Sequence, residues 1–93
     1  MFNGVATVLD TGSTTLNHPK GVIVDSLGNV YIADTAHNQI VKVTPAGTAS
    51  ALTITGLTTG LSAPEGLALD ASGNLYVADT GNNRVLLMSP AGV

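Results

Sequence analysis

Hydrophobic positions along this chain come in short runs, each cut by Gly, Asn, Asp or Pro. No stripe at helical spacing persists, and Gly, Thr, Asn and Val dominate, so strands rather than helices are expected. Residues 21–25 read Gly-Val-Ile-Val-Asp, a continuous apolar run of the kind expected for a strand covered on both faces. Residues 25–29 read as a hairpin turn in which Gly28 suits a positive φ. A second strand is predicted over residues 30–33. A second turn follows at 34–38, with Asp34 placed to cap the backbone amides after it. Residues 39–43 predict a third strand, which Pro45, Ala46 and Gly47 stop. Residues 49–55 then alternate like an outer strand, and residues 56–61 lead onward.

The same grammar returns 45 residues later. Residues 17–47 align without a gap on residues 62–92, with thirteen of 31 positions identical. Identical pairs include Pro19/Pro64, Gly21/Gly66, Asp25/Asp70, Tyr31/Tyr76, Asp34/Asp79, Thr35/Thr80 and Asn38/Asn83. All four prolines and both tyrosines of the chain fall into register. Such a period marks a repeat architecture, and four short antiparallel strands in about 45 residues make one blade of a β-propeller.

Composition narrows the function classes. Hydrophobic residues make up 44% of the 93 residues, charged residues 10% and aromatics 3%, with a net charge of −3. That balance excludes a disordered tail. Only Lys20, Lys42 and Arg84 are basic, so no nucleic-acid partner is expected. No cysteine is present, which excludes disulfides and thiolate-bound zinc. No window approaches about 18 uninterrupted apolar residues, and the start lacks a basic region before an apolar core. Neither a membrane span nor a secretory signal is expected, and no compartment is indicated.

Both repeats resemble the NHL repeat. The family's pattern runs Pro-x-Gly, three apolar residues and Asp. Then come Gly-Asn-apolar-Tyr-apolar-Ala-Asp, Asn-Arg-apolar and Pro-x-Gly. The second repeat is nearer to it, with Gly73-Asn-Leu-Tyr-Val-Ala-Asp79-Thr-Gly-Asn-Asn-Arg84. The first departs at Gln39, where the family usually has Arg, and at His37. The resemblance covers about 75 residues and implies an all-β propeller, usually of six blades, of which this chain holds two.

Two blades leave two apolar faces uncovered, and about three repeats are needed for a stable stack. A head-to-tail contact repeats until a ring closes, so a homotrimer with six blades is expected. Residues 4–10 align on the outer strand at 49–55 at the same offset. The organisation expected is therefore an outer strand in residues 1–12 that completes a neighbour's blade, a first blade at 17–57, and a second at 62–93 without its own outermost strand. Such a chain reads as a piece of a longer NHL propeller, or as an engineered chain similar in plan to designed propellers built from identical two-blade units.

Candidate chemistry is sparse. Asp25, Asp34, Asp70 and Asp79 occupy turn positions of the repeat and read as structural caps, which leaves Asp10 and Glu65. Lys20 and Glu65 share one slot, which in the resembling family faces the channel mouth. Alternating in a trimer, they make a charge-paired ring; the sharper reading is an ion or ligand site. His18 precedes Pro19, and three copies meeting on a threefold axis could bind zinc or nickel; the plainer reading is a solvated loop histidine. His37 reads as an exposed turn residue. Arg84 is expected to pair with a repeat carboxylate such as Asp79, and Tyr31 and Tyr76 to pack between blades with a partner for the hydroxyl. No catalytic motif or phosphate loop occurs.

The reading is therefore a non-enzymatic, self-assembling propeller module with no cofactor, whose partner is itself. A protein- or glycan-binding NHL domain from a larger surface or receptor protein is the alternative. A fragment of a metal-dependent propeller lyase or hydrolase is a third reading, which His18 and Glu65 alone would have to support.

Overall fold

A computed structural model describes residues 4, 6–12 and 14–89 of the chain. The expected stop at Pro90, Ala91 and Gly92, and residues 1–3 and 5 of the expected N-terminal strand, lie outside the described residues. Seven strands form two antiparallel sheets. The first sheet runs in chain order through β1 (Pro19–Val24), β2 (Val30–Asp34), β3 (Gln39–Val43) and β4 (Ala49–Ala51). The second holds β5 (Pro64–Leu69), β6 (Leu75–Asp79) and β7 (Arg84–Met88). Among the described residues no helix is long and apolar enough to cross a membrane.

The hairpins follow the repeat. Val24 pairs with Val30 around the first turn, and Leu69 with Leu75 around the second. Gly28 and Gly73 take φ of 89° and 85°, as the turns require. A short 3-10 turn, Thr35–His37 or Thr80–Asn82, joins the second strand to the third in each blade. It ends on a left-handed residue, Asn38 or Asn83, a role asparagine accepts readily. The ladder of β1 shifts register between Pro19 and Gly21, and that of β5 between Pro64 and Gly66. Lys20 and Glu65 are thus the extra residues of two matching bulges, a device that re-aims a side chain.

The outer strand of the first blade is shorter than the alternation suggests. Its ladder ends at Ala51, although Leu52 N still donates to Ile40 O at 2.7 Å. Beyond that point Leu52 and Ile54 pack onto the core between the sheets, which takes the chain out of the ladder. Residues 6–11 form no strand in the single chain, and Val8 is 96% exposed.

The two sheets stack face to face. One face of the first blade, with Ala33 and Ile40 at its centre, packs on Leu75, Val77 and Met88 of the second. Ile23 and Tyr31 join from the first blade, and Leu67, Leu69 and Leu86 from the second. The opposite face of the first blade carries its own cluster of Ile32, Val41 and Val43, lidded by Leu16.

Candidate functional site

Each turn after a first strand is built on one carboxylate. Asp25 Oδ1 accepts from Leu27 N and Asn29 N, both at 2.9 Å, while Oδ2 accepts from Asn29 Nδ2 at 3.0 Å and Tyr31 OH at 3.1 Å. Asp70 repeats this with Ser72 N, Asn74 N, Asn74 Nδ2 and Tyr76 OH, all within 3.0 Å. Burial pushes the Asp25 carboxyl up, but the donors of Asn29, Tyr31 and Leu27 outweigh it and hold it below the usual value. At Asp70 the Asn74 donors come first, with the same net direction. Burial and then the Asp25 carboxylate push the Tyr31 hydroxyl above its ordinary range. The tyrosine hydroxyls are thus committed to the turns. Replacing Tyr31 by phenylalanine is expected to cost about 1 kcal/mol in urea unfolding, with the stack retained. An unchanged midpoint would show that the hydroxyl does not stabilise the turn.

The second pair of carboxylates does something else. Asp34 and Asp79 are both fully buried. Asp34 was expected to cap the amides after it, and this is corrected: the 3-10 turn carries no side-chain cap. Asp34 Oδ1 instead accepts from Asn17 N, 17 residues earlier, at 2.7 Å. Asp79 Oδ1 does the same with Ser62 N at 2.7 Å. Each carboxylate therefore ties the connector that enters its blade to the end of the second strand. The Oδ2 atoms differ. Asp34 Oδ2 lies 2.8 Å from His37 Nδ1 and accepts from Gln39 Nε2 at 2.8 Å. Asp79 Oδ2 accepts from Asn82 Nδ2 at 2.9 Å and from Arg84 Nε at 2.7 Å. Arg84 goes further, its Nη2 donating to Thr59 O at 2.6 Å. His37 is exposed as a turn residue, yet it fills the slot of Asn82 against this carboxylate, which its sequence position alone does not announce.

Lys20 Nζ and Glu65 Oε2 stand 3.7 Å apart, about half exposed, a geometry worth about 0–1 kcal/mol. His18 is exposed, with Nδ1 2.6 Å from Asn17 Oδ1. Among the described residues no group of three or more His, Asp or Glu side chains is placed to hold a metal ion. Asp10 accepts from Gly12 N at 2.8 Å in an exposed turn.

The seam between the blades carries polar contacts that sequence reasoning missed. Thr35 Oγ1 donates to Pro64 O at 2.6 Å. Ala63 N donates to Asn38 Oδ1 at 2.8 Å. A methyl group on Gly21 would collide with the Glu65 carbonyl, so the glycine permits the close approach of β1 and β5. The identity of Thr35/Thr80, Asn38/Asn83 and Gly21/Gly66 across the repeat was the available signal.

Several of the same slots are bare on the outer faces, although Ile32, Val41 and Val43 on the first blade are already covered in the single chain. Ile40 is 0% exposed in the seam, whereas its counterpart Val85 is 68% exposed. Pro64 is buried in the seam, and its counterpart Pro19 is exposed. Val22 and Val24 on the first blade and Leu87 on the second are each more than half exposed. A shallow hollow beside Val22 is lined by Leu16, Pro19, Lys20, Gly21 and Ile32. A second hollow on the far side of the molecule is lined by Gly66, Ala68, Tyr76, Ala78 and Val85.

Two all-β sheets stacked in this way are adjacent blades of a propeller. The NHL repeat model matches residues 16–43 and 61–86, more than half of the chain, and the chain belongs to that family. The fold is similar to that of virginiamycin B lyase from Staphylococcus aureus, with a TM-score of 0.68 and 21% identity over 90% of this chain. A streptogramin B lyase structure matches with a TM-score of 0.69 and 18% identity over 95% of this chain. The chain spans 26% of the length of each of these proteins. At this identity the likeness is one of fold. No curated relative matches the sequence.

Proposed function

We propose that this chain is a non-catalytic assembly module: copies stack head to tail, and three of them close a six-bladed propeller. The observation that carries the reading is the internal seam. It joins the second-blade face at Leu67, Leu75 and Val77 to the first-blade face at Ala33 and Ile40. The two outer faces are the repeat counterparts of those surfaces in the complementary order, so a second copy meets them as the blades meet each other. Covering Val22, Val24, Val85 and Leu87 supplies about 1–2 kcal/mol each. The repeat carboxylates are engaged by turn and connector donors, which supports a structural rather than catalytic role for them. Residues 1–12 of each chain add the fourth strand to the second blade of its neighbour.

The 26% span of the lyase propellers favours a second reading, in which further blades of a longer polypeptide cover the same faces. Native mass separates the two. Three chains of 9.3 kDa, about 28 kDa, are expected in solution. A species that stays at 9.3 kDa at high concentration sinks the assembly reading and leaves the second.

A further inference from the structure

Four non-glycine residues have positive φ among the described residues: His18 at 52°, Asn38 at 55°, Ala63 at 49° and Asn83 at 53°. Left-handed backbone is unfavourable for such residues unless the surroundings hold it. Two of the four hold each other. Asn38 Oδ1 accepts from Ala63 N across the internal seam. The other two, Asn83 and His18, are their counterparts at the 45-residue offset, and they sit on the two outer faces. Among the described residues no donor reaches Asn83 Oδ1.

Thr80 tells the same story. Its counterpart Thr35 is buried and donates to Pro64 O at 2.6 Å. Thr80 is exposed, and the only hydrogen bond of its hydroxyl among the described residues is to Ala78 O at 3.5 Å. Gly66 corresponds to Gly21, which the Glu65 carbonyl approaches too closely for a side chain. At Gly66 a Cβ meets only the Ala78 methyl at an ordinary 3.5 Å, and its φ is not in the left-handed region. Alanine there is compatible with the single chain.

We infer that these positions form a preset polar latch between copies, which fixes the register and direction of the contact. This inference rests on the head-to-tail reading. Asn83 Oδ1 of one copy accepts from the backbone N–H of His18 in the next. Thr80 Oγ1 donates to the Pro19 carbonyl of the next copy, and Gly66 leaves room for its Lys20 carbonyl. The apolar faces supply attraction without direction; two directed hydrogen bonds and one enforced close approach choose a single stacking geometry. The left-handed backbone at His18 is already set for its partner, so little reorganisation accompanies binding.

The test is sedimentation equilibrium of the full chain and four variants, with circular dichroism to confirm folding. Gly66→Ala is expected to stay folded and sediment at 9.3 kDa where the wild type assembles. Asn83→Gly, which keeps the backbone freedom, and Thr80→Val, which keeps the shape, should each weaken the copy–copy contact about tenfold. Asn83→Asp retains an acceptor in a residue that tolerates left-handed backbone, and should assemble like the wild type. Wild-type assembly in Gly66→Ala, or in both Asn83→Gly and Thr80→Val, overturns the latch and leaves the stacked ring standing. Loss of assembly in Asn83→Asp equal to that in Asn83→Gly also overturns it. A wild-type chain that never exceeds 9.3 kDa overturns latch and ring together.

Discussion

Replacing Asp79 by alanine is expected to lower the unfolding free energy by about 3–5 kcal/mol, enough to unfold much of a domain of ordinary stability. The carboxylate is fully buried and holds three partners at once. Ser62 N, Asn82 Nδ2 and Arg84 Nε all lose their acceptor. Arg84 is 29% exposed and is anchored to Thr59 O, so its charge is left partly buried beside an empty site. Urea unfolding followed by circular dichroism reads the loss. A drop of less than about 1 kcal/mol would show that the connector keeps its path without the carboxylate.

The same carboxylates set the acid limit of the fold. Burial alone raises Asp79, but Asn82, Ser62 N and Arg84 outweigh it, so its folded value lies below the ordinary 3.8. Asp34 behaves likewise, with Asn17 N, Gln39 and His37 as the opposing donors. A carboxyl held low in the folded state contributes stability above its unfolded value, and that contribution is lost as pH falls through the folded value. Both tethers are therefore at full strength above about 3.8 and weaken below it. Their loss releases the connectors at Asn17 and Ser62 and so destabilises the blades these enter.

How the sequence encodes this arrangement differs from element to element. The hairpins are legible because their signals are local: an apolar run, a Gly at positive φ, and an Asp whose acceptors serve amides two and four residues on. Asp34 was misread for the same reason. Local reasoning aims a turn aspartate at the following amides, but its real donor is 17 residues back and depends on where the connector runs. The seam polar contacts span 25 and 29 residues, so no local rule reaches them. The repeat supplied their identity as paired residues, without the geometry that engages one member of each pair across the seam and leaves the other unengaged. Gln39 in place of arginine is visible in the sequence. That His37 then joins it at the carboxylate follows only from the shared space around Asp34 Oδ2.

Deleting residues 1–12 is expected to abolish the proposed ring and leave a folded monomer of about 8 kDa, the 9.3 kDa chain less twelve residues. The first blade has four strands; the second has three among the described residues, which leaves the β7 edge open. In the first blade, β4 pairs as Val41↔Ala51, Lys42↔Ser50 and Val43↔Ala49, with Leu52 N reaching Ile40 O. At the 45-residue offset the described residues predict Leu86 with Ala6, Met88 with Gly4, and Thr7 N with the Val85 carbonyl. Residues 6–10 are exposed and outside any strand in the single chain, so they are free to add to a neighbour's edge. A few ladder bonds at about 1 kcal/mol net each make about a hundredfold or more in affinity at every junction. Thr7→Pro removes one donor from an exposed segment without touching the core, and should weaken assembly in the same direction. Native mass spectrometry of both variants provides the check. A truncated chain that still gives the full ring would show that face stacking alone closes it, and that the β7 edge needs no strand from its neighbour.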